Sequence, residues 1–403
     1  MKTTVTWLRR RVPIGAAVSR VGMLLTPVTV AILVTAAYSL LVLWRWRIIG
    51  RDPGFFVLAG PPLADPNQTL PNLHVFPPGT TYDGQFFYRL ALEPWTNVRT
   101  AYGITLDVPP YRQQRILYPL LAWVLSGGMW QLTPLALIVA NLVAVALLAY
   151  SAAVFATTSG RSALASLLVP FYSGYVVTIS RDLAELTEAA LLAAGLVLLE
   201  RRRFWPASAA LTIGAFAKET LLGVPIAGII VWAVRRARTP RDAPGPPLRV
   251  WLIPLVVYAA WSLVMLSRWG TTGIGQGSVN FGVPLVAVLQ HLRALATPDW
   301  RADRVEIGIL ASLVGLVAAV AVAYKTRLIS NVLPLACLLY AILALFYASY
   351  IWQDDYAYLR ALHELSLTGG LAVLAVSVWA ARALGLTGVV LWVAFVLQSG
   401  PAP

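Results

Sequence analysis

The sequence predicts an all-α polytopic membrane protein with about eleven transmembrane helices and a long first outer loop bearing interfacial helices. Composition supports this fold class, because hydrophobic residues make up 59% of the 403 residues and charged residues only 12%. The mean hydropathy is +0.72, whereas an ordinary soluble domain has about 25% charged residues. The apolar residues also recur in runs close to the roughly 20 residues that a helix needs to cross a bilayer.

The predicted spans follow these runs along the chain, near 27–44, 133–156, 162–179, 183–199, 207–220, 221–235, 250–267, 305–324, 328–349, 361–380 and 384–398. Residues 1–39 place arginines ahead of an apolar run, as a secretory signal does. The run at 27–43 is long for a signal and lacks a clean small-residue cleavage site near its end, so we predict the first transmembrane helix there.

The apolar stretch 116–128 is short, and we predict an interfacial helix packed under the loop. If it does not cross and the N-terminus is cytoplasmic, most basic segments lie inside, as the positive-inside rule requires. These segments are Arg161, Arg201-Arg202-Arg203, Arg235-Arg236-Ala237-Arg238, Lys325 with Arg327, and Arg382. Arg45, Arg47 and Arg51 would lie on the outer side, against this rule, but the N-terminal arginines oppose them. We expect a multi-pass protein of the plasma (inner) membrane with a cytoplasmic N-terminus.

The chain divides at a proline-rich stretch. We predict a membrane module at 1–235 with its outer loop at 45–132, a cytoplasmic linker at 236–249, and C-terminal transmembrane helices at 250–403. Within the first module, Lys218-Glu219-Thr220 interrupts an apolar run, and Gly223 and Pro225 follow. Broken helices of this kind are tolerated where the freed backbone faces a cavity or other protein.

Composition excludes several kinds of site. The single cysteine, Cys337, lies in an apolar run, so neither a disulfide framework nor a thiolate metal site is available. The histidines His74, His291 and His363 are too scattered along the chain to suggest a metal site by sequence. The net charge is +14, but the basic residues cluster beside apolar spans, which indicates a lipid bilayer as partner and no nucleic acid.

Asp83 is the sharpest catalytic candidate. The polar loop at 45–115 contains Tyr82-Asp83-Gly84-Gln85-Phe86-Phe87-Tyr88-Arg89, and long loops of this kind are usually functional. The glycine would let a substrate approach the backbone while the carboxylate accepts a proton from a hydroxyl. Asp83 would equally serve as the N-cap of a helix that starts at Gly84. Both interpretations stay open from the sequence.

A second acidic group opens the span near 183. The three-residue spacing of Asp182, Glu185 and Glu188 puts their side chains on one side of a helix. A carboxylate in lipid without a partner costs roughly 2.5 kcal/mol or more, so these groups must face protein, water or the interface. The alternative is a helix N-terminus whose acids complement the helix dipole, with Arg181 as ion-pair partner.

Outer-side cations form a third group of candidates, namely Arg89, Arg112, Arg115, Lys218 and Arg360. Guanidinium forks and ammonium groups that converge would suit a lipid-linked phosphate or diphosphate, whereas single arginines near helix ends commonly snorkel to head groups. No cofactor is assigned. A divalent cation is possible, because Asp354-Asp355 forms a carboxylate pair, although exposed loop acids usually bind only water.

These motifs together resemble the GT-C class of integral membrane glycosyltransferases. The resemblance rests on Tyr82-Asp83-Gly84-Gln85 in the first outer loop and on Tyr111-Arg112-Gln113-Gln114-Arg115 followed by Tyr118-Pro119. Acids at the next outer turn and Ala217-Lys218-Glu219-Thr220 in a broken helix complete it. It covers roughly residues 25–235, and the rest of the chain matches only in being helical.

The resemblance implies inverting transfer of a hexose or pentose from a polyprenyl-phosphate carrier to an acceptor glycan, lipid or protein on the outer side of the membrane. Asp83 would be the general base, and the second acidic position would fall on Asp182 or Glu185. Lys218 and the arginines would bind the donor phosphate. Tyr82, Gln85 and Tyr88 would contact substrate. Larger relatives carry a soluble C-terminal domain, so acceptor recognition is expected here from loops, from the last spans or from a partner protein.

Two other classes of function remain. A secondary transporter or flippase for a lipid-linked or anionic substrate would need charged residues near the bilayer midplane and related halves. Lys218-Glu219 meets the first demand, and the sequence has no repeat that meets the second. A noncatalytic scaffold would explain the spans but not the long polar loop.

Overall fold

The computed structural model describes residues 26–238, 245–273, 277–296, 304–353 and 357–399. Helices dominate this part of the chain. A two-stranded antiparallel hairpin in the first loop pairs β1 (Thr100–Ala101) with β2 (Ile104–Thr105), with Thr100 opposite Thr105. The N-terminal arginines before residue 26, residues 239–244 of the predicted linker and the Asp354-Asp355 pair lie outside the described residues.

The α-helices in chain order are α1 Pro27–Ile48, α2 Gly84–Leu92, α3 Pro109–Gln113, α4 Leu117–Ser126, α5 Thr133–Thr158, α6 Gly174–Ser180, α7 Glu185–Glu200, α8 Phe204–Ala215, α9 Gly223–Arg238, α10 Leu248–Trp269, α11 Val286–Leu295, α12 Arg304–Tyr324, α13 Val332–Ala344, α14 Ser349–Gln353, α15 Ala357–Ala361, α16 His363–Val376 and α17 Val378–Ser399. Short 3₁₀ helices lie at Pro53–Val57, Trp130–Leu132, Ala163–Leu168, Glu219–Leu222, Gly277–Asn280 and Leu328–Ser330.

Six stretches of helix are long and apolar enough to cross a membrane: Pro27–Ile48, Trp130–Thr158, Glu219–Arg238, Leu248–Trp269, Arg304–Tyr324 and Val378–Gln398. They coincide with the predicted spans near 27–44, 133–156, 221–235, 250–267, 305–324 and 384–398. The all-α membrane fold is therefore confirmed at this level. The full count of eleven stays a prediction, because the remaining helices are shorter.

The predicted span at 162–179 is wrong as a continuous helix. The chain forms the 3₁₀ helix Ala163–Leu168, then a turn at Pro170, and then α6. Proline has no N–H to donate and its ring obstructs the preceding turn, which favours a break in the helix at this position. The Tyr38 hydroxyl of α1 donates a hydrogen bond to the Pro170 carbonyl at 2.7 Å. This bond satisfies a backbone group that the break exposes.

Several predicted spans are short or displaced in the structure. The stretch near 183–199 forms α7, whose 16 residues cover about 24 Å. The stretch near 207–220 ends at Ala215, three residues before Lys218. The stretch at 328–349 contains the 3₁₀ helix Leu328–Ser330 and then α13, which has 13 residues. Ser377 is extended, with φ −136° and ψ 111°, so α16 ends before it and α17 begins directly after it.

The bundle is organised around α5 and α7. The central helix α5 packs against α1 and α7, and α7 packs against α8. From there the packing continues from α8 to α10 and from α9 through α13 to α16. Gly228 allows α9 to approach α10 closely, because a Cβ at this position would lie 2.2 Å from the Trp251 ring.

The interfacial helix predicted at 116–128 is α4. Its ten residues span about 15 Å, roughly half of the hydrocarbon thickness. Gly127 ends the helix with a φ of +61°, a conformation that glycine adopts without strain. The Tyr118 hydroxyl donates to the Leu137 carbonyl at 3.1 Å, which anchors α4 to α5. Its length agrees with a helix that does not cross, and its position at the interface stays a prediction.

Candidate functional site

Charged side chains from distant parts of the chain meet at one end of the bundle. Asp83 precedes α2 in the first loop, Glu185 begins α7, Lys218 lies between α8 and α9, and Arg360 lies in α15 just before α16. The loop reaches this end because Gly84 packs directly on other backbone. A Cβ there would lie 2.3 Å from the Arg181 carbonyl oxygen and 2.5 Å from that of Val57, so no larger residue fits without displacement.

Asp83 bridges two arginines. Its Oδ1 lies 3.0 Å from Arg112 Nη1, and its Oδ2 lies 2.7 Å from Arg360 Nη2. Asp83 stands at the N-cap position of α2, but its side chain makes no capping hydrogen bond. The alternative that Asp83 serves as a side-chain cap is therefore wrong. Its side chain remains 17% exposed, so the carboxylate lies at the boundary of the solvent.

Further ion pairs connect Arg360 to residues at the ends of the membrane helices. Arg360 Nη1 lies 3.1 Å from Glu185 Oε1, and Lys218 Nζ lies 3.4 Å from the same oxygen. Arg112 also holds both oxygens of Asp107, at 2.8 and 2.7 Å. We call Asp83, Arg112, Glu185, Lys218 and Arg360 the ion-pair cluster. Five of the sequence-predicted site residues thus form one chain of contacts.

Arg115 lies beside the ion-pair cluster and has its own partners. Its Nε and Nη2 donate to the two carboxylate oxygens of Glu219 at 2.9 and 2.6 Å. Nη2 also donates to the Tyr111 hydroxyl at 2.6 Å. This pair ties the end of the first loop to the helix break at Glu219. The Lys218-Glu219 interruption is thus accommodated by ion pairing.

The remaining predicted residues separate into two groups. Tyr82 lies beside the ion-pair cluster, because its ring is 5.0 Å from the Arg360 guanidinium and 4.6 Å from that of Arg181. Three others hold the loop together. Arg89 is fully buried and pairs with Glu93 at 3.1 Å, Tyr88 donates to Asn72 at 2.7 Å, and Gln85 accepts from the Gly60 N–H at 3.4 Å. Arg89 and Arg112 are both predicted to bind phosphate, but no contact joins them among the described residues.

Asp182 is placed differently from Glu185. It is completely buried, with a φ of +47°, and neither carboxylate oxygen has a hydrogen-bond partner among the described residues. Burial raises the pKa of Asp182 well above its ordinary value, because a charged carboxylate is disfavoured away from water. Glu185, unlike Asp182, contacts Arg360 and Lys218.

The electrostatics of Asp83 follow from its neighbours. Burial raises the pKa of this carboxyl, but the charges of Arg112, Arg360 and Arg115 outweigh burial and hold it well below its ordinary value. A carboxylate in this state is ionised at neutral pH and is a weak base. To accept a proton efficiently, Asp83 must first lose part of its contact with the arginines.

Sequence reasoning did not assign a role to a second cluster, formed by Glu188, His363 and Glu364. His363 Nε2 lies 2.5 Å from Glu188 Oε2, and Nδ1 lies 3.1 Å from Glu364 Oε2. His363 follows Arg360 by three residues, as Glu188 follows Glu185. Within each pair, this spacing puts the two residues about one helical turn apart. Only the packing of α7 against α16 brings the two pairs together.

Two cavities of the described residues lie away from the ion-pair cluster. A cavity of about 260 Å³ at the α9 and α10 interface is lined by Trp232, Arg235, Arg236 and Trp251, among others. No member of the ion-pair cluster contributes to its lining. The most exposed cluster members are Arg360 and Asp83, at 19% and 17%. A ligand would therefore reach the cluster from the surface at these two side chains.

Comparisons of the chain with protein-family models, with curated proteins and with solved structures each gave no match. The function of the protein is therefore inferred from its residues and their geometry.

Proposed function

We propose that the protein is a membrane glycosyltransferase that moves a sugar from a polyprenyl-phosphate donor to an acceptor hydroxyl with inversion, as its resemblance to GT-C enzymes implies. The single observation that supports this proposal best is the position of Asp83. An acid of the first loop lies between Arg112 and Arg360, and Arg360 continues to Glu185 and Lys218. A base candidate and phosphate-binding cations thus share one site.

In the proposed reaction, the donor phosphate replaces Asp83 as a partner of the arginines. The phosphate of the donor binds Arg112 and Arg360, and this takes guanidinium contacts away from Asp83. The freed carboxylate then has a higher pKa and accepts the acceptor's hydroxyl proton. The hydroxyl oxygen bonds to the anomeric carbon while the bond from that carbon to the phosphate oxygen breaks. The leaving phosphate keeps the electron pair, and the cations stabilise its developing charge.

The proposed orientation places this chemistry on the outer side of the membrane. Glu185, Lys218 and Arg360 meet at one end of the bundle. α7 starts at Glu185, so the arginines after its C-terminus, Arg201-Arg202-Arg203, lie about 24 Å away at the other end. Basic segments favour the cytoplasmic side. This supports a plasma-membrane protein with a cytoplasmic N-terminus and an outward-facing ion-pair cluster.

The test uses purified protein and a panel of labelled polyprenyl-phosphate sugars. We expect release of sugar from one donor by the wild type and its loss in Asp83→Asn, which keeps the size of the side chain and removes its basicity. Asp65→Asn in the same loop is the matched control, because among the described residues the Asp65 carboxylate accepts only a local hydrogen bond from the Asn67 N–H. Unchanged turnover in Asp83→Asn would remove Asp83 from the mechanism. Uptake of an intact donor into proteoliposomes would instead support a transporter.

A further inference from the structure

We propose that Glu188, His363 and Glu364 form a binding site for one divalent transition-metal ion, with Zn²⁺ as the preferred ion. The three side chains are 0%, 0% and 1% exposed. One ligand atom from each lies within 4.8 Å of the others. Bonds of about 2.0 to 2.2 Å to a shared ion bring two ligand atoms to at most about 4.4 Å from each other, so the side chains would close slightly around the ion. The proposal does not depend on sugar transfer.

The charge balance of the buried acids points to a cation. Asp83, Glu185 and Glu219 each contact an arginine or a lysine. Among the described residues, the Glu188 and Glu364 carboxylates form ion pairs only with His363. Lys218 also acts on Glu188 through its charge, but among the described residues its ion pair is with Glu185. A protonated imidazole offsets one of the two charges, whereas a divalent ion offsets both. Unpaired buried charges are strongly unfavourable.

Glu188 supplies an independent indication of a ligand. Its Oε1 is buried and has no hydrogen-bond partner among the described residues. Its Oε2 contacts His363, and Glu364 Oε1 accepts from the Thr220 hydroxyl. A buried carboxylate oxygen normally has a partner. Glu188 Oε1 is therefore the oxygen of this residue that we assign to the ion.

The tautomer of His363 is suited to metal binding. Its Nδ1 lies 2.7 Å from the Arg360 carbonyl oxygen, and this contact is a hydrogen bond only when Nδ1 carries the proton. The neutral ring then presents the lone pair of Nε2 towards Glu188. Metal-binding histidines usually donate their other N–H to a carbonyl or carboxylate in this way. Arg360 thus fixes the ring through its backbone.

A proton and the metal ion compete for the space between His363 Nε2 and the Glu188 carboxylate. Without the ion, a proton bridges His363 Nε2 and Glu188 Oε2, which are 2.5 Å apart. The ion binds as this proton leaves to solvent and the two atoms separate. Metal binding therefore releases a proton and weakens as the pH falls.

The ligand set selects the class of metal. One imidazole nitrogen with two carboxylate oxygens suits Zn²⁺, Mn²⁺ or Fe²⁺, whereas Mg²⁺ and Ca²⁺ prefer oxygen ligands and retain water. A completely buried site with few ligands favours the low coordination number of Zn²⁺. The ion would join α7 to α16 and so hold Arg360 next to Glu185.

The test measures metal in purified protein after chelation and dialysis against equal concentrations of Zn²⁺, Mn²⁺, Mg²⁺ or Ca²⁺. We expect one Zn²⁺ per chain, release of protons on binding, and no retention of Mg²⁺ or Ca²⁺. Glu188→Gln and His363→Gln should each weaken Zn²⁺ binding at least about tenfold. Glu200→Gln, at the other end of α7, is the matched control and should bind as the wild type does.

Two results would overturn the proposal. One is wild-type protein that retains no Zn²⁺ and gains no thermal stability from it, a measurement that needs no variant. The other is Zn²⁺ bound equally tightly by the wild type, Glu188→Gln and His363→Gln. Elution of each variant as a monodisperse peak on size-exclusion chromatography shows that a loss of metal is not a loss of fold.

Discussion

Arg360→Lys is the change that examines the ion-pair cluster most directly. The Arg360 fork uses two separate nitrogens, with Nη2 at 2.7 Å from Asp83 and Nη1 at 3.1 Å from Glu185. A lysine ammonium is a single compact charge and cannot reproduce this planar bridge. The variant keeps the positive charge and one of the two contacts. It therefore isolates the geometry of the bridge from its charge.

The magnitude follows from what each carboxylate retains. Asp83 still contacts Arg112 and Glu185 still contacts Lys218, so neither acid is left as an unpaired buried charge. The loss is then one charge-assisted hydrogen bond, and we expect the free energy of unfolding to fall by about 1.5 to 3 kcal/mol. If the fork also binds the donor phosphate, sugar transfer should fall about 100-fold to 1,000-fold.

Unfolding by denaturant in detergent, followed by tryptophan fluorescence, measures the first quantity. Donor consumption measures the second. Arg249→Lys is the control, because Arg249 is exposed and lies over the Trp205 ring at 4.9 Å; surface changes of this kind stay within about 0.5 kcal/mol. If Arg360→Lys unfolds like the wild type, the bridge between Asp83 and Glu185 does not stabilise the fold, and the reasoning from its geometry is refuted.

Two further predictions concern the same end of the bundle. Gly84→Ala should lower the free energy of unfolding by about 1 to 3 kcal/mol, because the new Cβ would lie 2.3 Å from the Arg181 carbonyl oxygen. Gly315→Ala is the control, because a Cβ there meets nothing within 4 Å, and it should be neutral or stabilising by up to about 1 kcal/mol. Equal effects of Gly84→Ala and Gly315→Ala would refute the close packing of the loop. The pKa of Asp83 is lowered in the folded protein. The ionised carboxylate therefore stabilises the fold fully when the pH is above the ordinary aspartate pKa of about 3.9, and this stabilisation is lost as the pH falls below that value. The difference in melting temperature between wild type and Asp83→Asn should therefore shrink on acidification below about pH 4, and a difference that grows instead would contradict the ion pairs.

Much of the membrane fold could be predicted from local properties. Runs such as 27–44 and 305–324 are apolar over nearly the whole length of a bilayer, so no tertiary partner is needed to identify them. Short spans were harder. The stretch at 162–179 carries no charged residue, yet Pro170 interrupts it. The hydrogen bond from Tyr38 explains how the break is accommodated.

The candidate site could be predicted in part for a similar reason. Ionisable residues within or beside apolar spans are costly, so Glu185 and Lys218 stand out without any structure. Their partners do not stand out. Whether Asp83 caps α2 or pairs with Arg360, 277 residues away, depends on which surfaces pack together. The same limit concealed the contact between Glu188 and His363, which are 175 residues apart.

The sequence by itself determined the environment of this protein and the kinds of group it holds, because hydrophobicity, charge and proline act over a few residues. The tertiary structure alone decided which of these groups meet. Ion pairs and hydrogen bonds act over about 3 Å, and the packing of α7, α15 and α16 with the first loop sets those distances. Asp83 therefore became a partner of two arginines, and Glu188 joined His363 and Glu364 in a candidate metal site that the sequence did not indicate.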